Sequence, residues 1–460
     1  MTNNLPQKNQ QGIGKFAQIS LLIFTLLPTW GGIGILIASF IIFQQNFSEI
    51  TQNKINWALA ALSVWLIVTC CLANQPGEAF LGLANFFPFM IIFAALTTLI
   101  RTINQLRWLA WLLVSPSLIV AILGLGQLFL GWSGGELLLP VFGWILVPEG
   151  NPEGRMSSVF MYANILAAYE LIIVSLGLGL WLDLWRSWRK NRQQKLSWLF
   201  WFLSITLIAD TIALILTNSR SAWGIGILIG VAFTLYLGWY LLVLGVAAAA
   251  GAIAWASFGP KWGQGSLRKV VPAYFWLRLS DQMFSDRPIE TLRLTQWQFT
   301  IKMTQSRPWL GWGLRNFTLL YEQEMDVWLG HPHNLWLMLA AETGIPGIML
   351  LSAIVAWILA QATIFWQTLS TESGEFSNSK SSFANIPEIF LKTTTTDLFA
   401  DKIIIFSYLV AFTSCILFNL FDVSIFDLRI NLLGWILLAA IWGVTNNYRP
   451  EANFQLKLNK

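Results

Sequence analysis

Charge is scarce in this chain. Asp, Glu, Lys and Arg together make up 11% of its 460 residues, while 56% are hydrophobic. Soluble domains carry about 25% charged residues, so a water-soluble globular protein is excluded in favour of an integral membrane protein. Histidine is scarcer still, with His331 and His333 the only two. The three cysteines, Cys70, Cys71 and Cys415, all fall inside apolar runs, which argues against a structural disulfide or a thiolate metal site. There is no glycine-rich phosphate loop and no Asp-x-Asp nucleotide-sugar motif. The net charge of +5 is what the cytoplasmic loops of a membrane protein supply, so it does not argue for nucleic acid. A cleavable signal peptide is not expected, because residues 1–16 are polar and the following apolar run lacks a small-residue cleavage site.

What is abundant is long apolar sequence. A helix needs about 20 apolar residues to cross a bilayer. Residues 17–43 are apolar throughout, with Pro28 and the Gly31-Gly32 pair in the middle, and read as two short helices meeting there. Further spans are expected at 55–74, 80–100, 106–130, 156–182 and 198–217. The run 222–258 is too long for one crossing and splits near Gly238. The runs 345–366, 402–421 and 429–446 complete a set of about twelve. The fold class expected is therefore an all-α polytopic membrane protein.

Basic residues in short loops orient it. The loop 183–197 carries Arg186, Arg189, Lys190, Arg192 and Lys195, and Arg101 and Arg107 flank another, so both are placed in the cytoplasm. Residues 131–155 hold Glu136, Glu149 and Glu153 against a single arginine, which suits the outer side. Both termini then face the cytoplasm and a polar segment from about Pro260 to His333 faces outward. Three regions follow: N-terminal transmembrane helices over 1–258, an external helical loop over 259–333, and C-terminal helices over 334–460 with a polar cytoplasmic loop at 367–401.

The external segment holds nine cations (Lys261, Arg268, Lys269, Arg278, Arg287, Arg293, Lys302, Arg307 and Arg315) against the acids Asp281, Asp286, Glu290, Glu322, Glu324 and Asp326. Its stretch 288–306 has helical periodicity, with Arg293 near the start on a face shared with Trp297 and a stop at Arg307-Pro308. It ends in HPHNLWL, where Pro332 fixes the chain between two histidines that point differently. Either histidine has a plain reading as interfacial packing. A zinc reading lacks the Cys or Glu-x-x-His pattern that would complete the site. Arg220, between Ser219 and Ser221, ends the seventh span on the outer side, where an arginine either snorkels or binds an anion. Glu342, in AETGIPG, is expected to be structural and paired. Trp309 and Trp312 in RPWLGWG offer faces for sugars, although interfacial anchoring explains most of the 26 tryptophans.

The order TNSRSAW, two spans, a long external segment with a helix and RPWLGWG, then H-x-H-N-L-x-L and A-E-T-G-I-P-G resembles the O-antigen ligase and polymerase superfamily, across roughly 200–360. That superfamily includes ligases, polymerases, protein O-oligosaccharyltransferases and a branch labelled as inorganic-carbon transporter-like. The resemblance implies a fold like that of the glycosyltransferase C enzymes. It also implies metal-independent, inverting transfer of a glycan from undecaprenyl diphosphate at the periplasmic face of the cytoplasmic membrane, without a cofactor. The acceptor would be another glycan, lipid A core or protein. A histidine of the H-x-H-N element would act as base, His333 ahead of His331, with Asn334 and Glu342 supporting. Arg220, Arg293 and Arg315 are the residues for the diphosphate, a charge that arginine holds bidentately. A transporter, for inorganic carbon in that branch, is the competing reading; it would place ionisable residues inside the membrane, where Glu170 and Asp210 are the main exceptions to apolar spans.

Overall fold

The structure is a computed structural model and describes residues 5–136, 139–190, 197–280, 288–378 and 388–447. Asp281, Asp286, Arg287, Arg192, Lys195 and the C-terminal tail from 448 lie outside the described residues. Helices dominate; among the described residues the only β pairing is an isolated bridge between Gly150 and Arg155. This is the expected all-α class, since in lipid a helix satisfies its backbone polar groups within itself.

Nine helical segments among the described residues have the length and apolarity to cross a membrane: Lys54–Cys71, Pro76–Leu99, Ile103–Phe129, Ala163–Lys190, Trp198–Leu216, Tyr240–Phe258, Leu335–Leu369, Asp401–Phe418 and Leu428–Asn447. The three other expected spans are helical but shorter or less apolar. Pro28 opens Pro28–Gln45 after the helix Leu5–Phe24, and Gly238 in a left-handed conformation separates Arg220–Tyr236 from Tyr240–Phe258. Three crossing segments among the described residues are internally broken, one around Asn85–Phe87, one at Ser115-Pro116 and one at Gly344. The helices Leu335–Asn378 and Glu388–Phe418 continue into the stretch expected as a polar loop, of which 379–387 lie outside the described residues.

Ala163–Lys190 is the central helix, buried along most of its length from Ala163 to Leu182. It packs on Glu388–Phe418, where Gly179 faces Ser407 so closely that a Cβ would sit 2.4 Å from the Ser407 Cβ; small residues let membrane helices approach this way. One end of the bundle is clasped by Arg107, which reaches Asp183 at 3.0 Å and Asp401 at 2.8 Å. The opposite end carries the segment 259–333.

That segment is a small helical layer of its own: Lys261–Val270, Ala273–Leu279, Arg293–Ser306 and Asn316–Met325. The periodic stretch 288–306 begins its α-helix at Arg293, because a 3-10 turn, Ile289–Thr291, precedes it. Phe299, Met303, Phe317 and Tyr321 form a separate core between the last two of these helices, whereas Lys261–Val270 and Ala273–Leu279 pack against Tyr240–Phe258.

Candidate functional site

Two sequence motifs, one inside the segment and one just beyond it, lock into each other. RPWLGWG lies along AETGIPG, with the Trp312 N–H donating to Ala341 O at 2.9 Å, Gly313 N–H to Glu342 O at 2.8 Å and Ile345 N–H to Pro308 O at 2.8 Å. Gly344 makes the contact possible: its φ of +73° and ψ of 168° belong to glycine, and a Cβ would meet Trp309 O at 2.1 Å. Glu342 is buried and accepts the Phe317 N–H at 3.2 Å, at the start of Asn316–Met325. A carboxyl oxygen placed there satisfies an orphan donor of the helix N-terminus. Arg315 ion-pairs with Glu78 at 3.1 Å, and both side chains are exposed. Trp309 is exposed, whereas Trp312 donates through its indole to Met303 O at 2.9 Å beneath the Arg307 guanidinium. This loop braces the segment against the bundle.

The histidines are held from several sides. The Trp297 indole donates to Pro332 O at 3.0 Å, so the helix Arg293–Ser306 sits directly on the H-P-H turn. Asn334 caps the next helix by accepting from Leu337 N–H at 3.0 Å, and its amide donates to Leu420 O at 3.0 Å. His333 has φ +51°, an uncommon value for a non-glycine residue. Its ring lies edge-on to that of His331, centroids 4.6 Å apart, and its backbone N–H donates to His331 Nδ1 at 3.2 Å. Constraint of this kind at a polar site is where local backbone strain recurs in functional positions.

Opposite them is a residue the sequence reading did not select. Asp422, in the short connection between Glu388–Phe418 and Leu428–Asn447, places Oδ1 3.1 Å from His333 Nδ1 and 3.8 Å from His331 Nε2. The same oxygen accepts the Val423 N–H at 2.9 Å, and Oδ2 accepts from the Asn164 amide at 2.6 Å. The Asp422 side chain is 3% exposed, while the His331 and His333 side chains are about a fifth exposed, at 20% and 21%. Burial by itself would raise the Asp422 pKa, but the His333 hydrogen bond, both histidines and the Val423 N–H outweigh it and hold the carboxyl well below the usual range. His331 is pushed down to about 4, first by burial and then by His333 and Arg293, against an opposing pull from Asp422. It is therefore neutral at pH 7.

An ionised Asp422 can only accept, so His333 Nδ1 donates to it, and in the neutral imidazole the lone pair is then on Nε2. A buried carboxylate fixing tautomer and ring orientation in this way is the arrangement that makes an imidazole a general base. His331, His333 and Asp422 each offer a ligand-type atom, all within 4.8 Å of one another. Asp422 already spends its oxygens on three N–H donors besides any cation, which favours the hydrogen-bonded arrangement.

Behind Asp422 the network runs to a second unselected pair. Asn164 Oδ1 accepts from Arg155 Nη2 at 2.5 Å, and Arg155 Nε donates to Thr217 O at 2.8 Å. Asn218 next to it, with φ +56°, bonds Tyr274, and its carbonyl accepts from Arg278 Nε and Nη2 at 3.2 and 3.1 Å. Arg220 follows two residues on. The seventh span stops at Leu216, so Arg220 opens the next helix instead of ending that span. Arg293 likewise opens its own helix and acts on His331. The structure thus gathers His331, His333, Asn334 and Arg293 around the H-P-H turn, while Arg220 follows three residues after Thr217, whose carbonyl accepts from Arg155; Arg315 and Glu342 lie together at the RPWLGWG loop. Asp422 had one signal available: it lies in a short loop that the expected topology puts on the same side as the histidines.

Residues 203–352 match a family model described as O-antigen ligase. The match includes every site residue expected from the sequence, while Asp422, Asn164 and Arg155 fall outside it. No curated protein matches the chain.

Proposed function

We propose, for a chain that belongs to the O-antigen ligase superfamily of membrane glycosyl-transfer enzymes, that it transfers a glycan from undecaprenyl diphosphate to an acceptor hydroxyl at the outer face of the cytoplasmic membrane, with His333 as general base. The observation carrying this reading is the His333–Asp422 hydrogen bond at 3.1 Å. The acceptor oxygen loses its proton to His333 Nε2 as it attacks the anomeric carbon. The bond from that carbon to the phosphate oxygen breaks, and the lipid diphosphate leaves with the electron pair. A single displacement inverts the anomeric centre.

The charge developing on the leaving diphosphate needs fixed donors. Arg220 and Arg293 each sit at the first residue of a helix. A cation there is opposed by the helix dipole, whereas an anion is favoured by it together with the exposed backbone N–H groups. An arginine at a helix N-terminus is thus suited to a phosphate between the two. Arg315, ion-paired with Glu78, has no part in this proposal. Asn334 and Glu342 position the H-P-H turn and the loop that braces it. The acceptor is a glycan, lipid A core or a protein.

The test is transfer by the purified protein from a polyprenyl-diphosphate glycan to each of these acceptors, comparing wild type with His333→Ala, His331→Ala, Arg220→Ala and Arg293→Ala. Loss of transfer in His333→Ala is expected. Transfer untouched by all four substitutions sinks the mechanism.

A further inference from the structure

Two carboxylates inside the bundle take no part in that chemistry. Glu170 lies two turns into Ala163–Lys190 and Asp210 lies well inside Trp198–Leu216; both are 0% exposed. Asp210 Oδ2 accepts from Ser117 Oγ at 2.7 Å. Ser117 is the first residue after the Ser115-Pro116 break in Ile103–Phe129, so a discontinuous helix meets the acids within the membrane. Among the described residues Asp210 Oδ1 and both carboxyl oxygens of Glu170 have no hydrogen-bond partner.

The charged neighbour that acts on Glu170 is Asp210, and both act on Tyr169. Arg429 also reaches Tyr169 electrostatically, but its guanidinium is engaged by Asp427 at 3.1 Å, by Val159 O at 2.8 Å and by the Phe160 ring at 4.0 Å. An isolated carboxylate buried in an apolar interior is strongly disfavoured, and two interacting ones at low dielectric repel each other. Intramembrane acids facing a bundle interior next to a broken helix mark small-cation sites. The unpartnered oxygens are hard donors of the kind that H+ or Na+ takes.

We propose that Glu170 and Asp210 form an intramembrane site for one monovalent cation, a proton or Na+, which neutralises one of the two carboxylates. The site is separate from His333 and does not depend on the glycosyl-transfer reading.

Infrared spectroscopy of the full-length protein in lipid nanodiscs at pH 7, in NaCl and in choline chloride, distinguishes the occupants. A bound proton gives the carbonyl stretch of a protonated carboxylic acid in both salts. A bound Na+ suppresses that band in NaCl and lets it rise when choline replaces sodium. In either case the sodium- or proton-dependent band is lost in the Glu170→Gln, Asp210→Asn double variant, and Glu342→Gln retains it. Absence of such a band from wild type in both salts overturns the proposal, as does its full retention in the folded double variant. Should the double variant not fold, dicyclohexylcarbodiimide labelling of wild type, read by peptide mass spectrometry, decides. An adduct on the Glu170 or Asp210 peptide, present in choline whether or not Na+ suppresses it, supports the site; two unlabelled peptides refute it.

Discussion

Replacing Asp422 with asparagine tests the catalytic reading at its narrowest point, because volume is conserved while hydrogen-bond polarity changes. In the native arrangement Oδ1 accepts from His333 Nδ1 at 3.1 Å and from Val423 N–H at 2.9 Å, and Oδ2 accepts from the Asn164 amide at 2.6 Å. An asparagine has one acceptor oxygen and one donating NH2. With its oxygen toward His333, the NH2 meets the NH2 of Asn164, and Asn164 cannot flip without losing Arg155. With the amide reversed, the NH2 faces the Val423 N–H and His333 Nδ1, which must then become an acceptor. Nε2 would take up the proton, and the base would be lost. Either outcome leaves a donor facing a donor.

A positioned base contributes roughly 10²–10⁴-fold, so kcat of Asp422→Asn is expected to fall by that factor, about 2.7–5.5 kcal/mol of transition-state stabilisation. The donor KM is expected to move little, since Arg220 and Arg293 are untouched. Because Asp422 acts through His333, the Asp422→Asn, His333→Ala double variant should be no slower than His333→Ala alone. Steady-state transfer kinetics on all three variants, with thermal melts to confirm folding, check this. An Asp422→Asn enzyme within about threefold of wild type, or losses that multiply in the double variant, would refute the assignment.

Three further outcomes follow from the same geometry. Arg293→Ala and Arg220→Ala should each lower kcat/KM for the diphosphate donor by about tenfold or more, the usual scale for a charged hydrogen-bonding partner, while Arg315→Ala, whose Glu78 partner is exposed, should change transfer by less than about twofold; measuring all three against one donor separates them. Gly344→Ala should cost about 1–3 kcal/mol in backbone strain alone, with the clash against Trp309 O added, and appear as a lower melting midpoint in detergent. His331 has its pKa lowered from 6.5 to about 4, so the unfolded chain binds that proton first as pH falls. The stability involved is intact above about pH 6.5 and drains toward about pH 4. Asp422, also lowered, contributes a following loss only below the ordinary carboxylate pKa of about 3.9. His331→Gln should therefore flatten the fall in melting midpoint between pH 7 and pH 5 and leave the acid limb below pH 4; an unchanged slope in the upper window contradicts the burial argument.

How much of this was legible in the sequence divides along one physical line. Apolar run length and breakers act locally, so the break at Pro28, the split at Gly238 and the helix stop before Pro308 could all be read in advance. The start of the external helix could not, because the 3-10 turn Ile289–Thr291 is only one turn long, too short for its tighter period to be told from that of the helix it precedes. The H-P-H element and the two helix-opening arginines stood out because cations and imidazoles are rare in this composition. Asp422 did not: it meets His333 across 89 positions and Asn164 across 258, and nothing local to FDVSIFD distinguishes the first aspartate from Asp427, which serves Arg429. Arg155 was read as a minority charge in an acidic loop, yet its reach to Thr217 O and Asn164 makes it the far end of the same network.

The two groups of buried acids also weigh the transferase reading against the transporter one. Asp422 has both of its oxygens hydrogen-bonded and sits among His331, His333 and the helix start at Arg293; its surroundings demand an ionised, immobile carboxylate, which is what orienting a base requires. Glu170 and Asp210 are the reverse: among the described residues three of their four carboxyl oxygens have no hydrogen-bond donor, and a helix break lies alongside. Such a pair is suited to gaining and losing a small cation and contributes nothing to an anomeric displacement. If the protein worked only as a transporter, the substitution that silences it should be at Glu170 or Asp210, and Asp422→Asn should be mild. If it is a glycosyl-transfer enzyme, Asp422→Asn lowers turnover by the roughly 10²–10⁴-fold of a lost base while Glu170→Gln leaves transfer from the lipid diphosphate within a small factor of wild type. Running both substitutions through one transfer assay therefore decides between the two readings by which acid the activity follows.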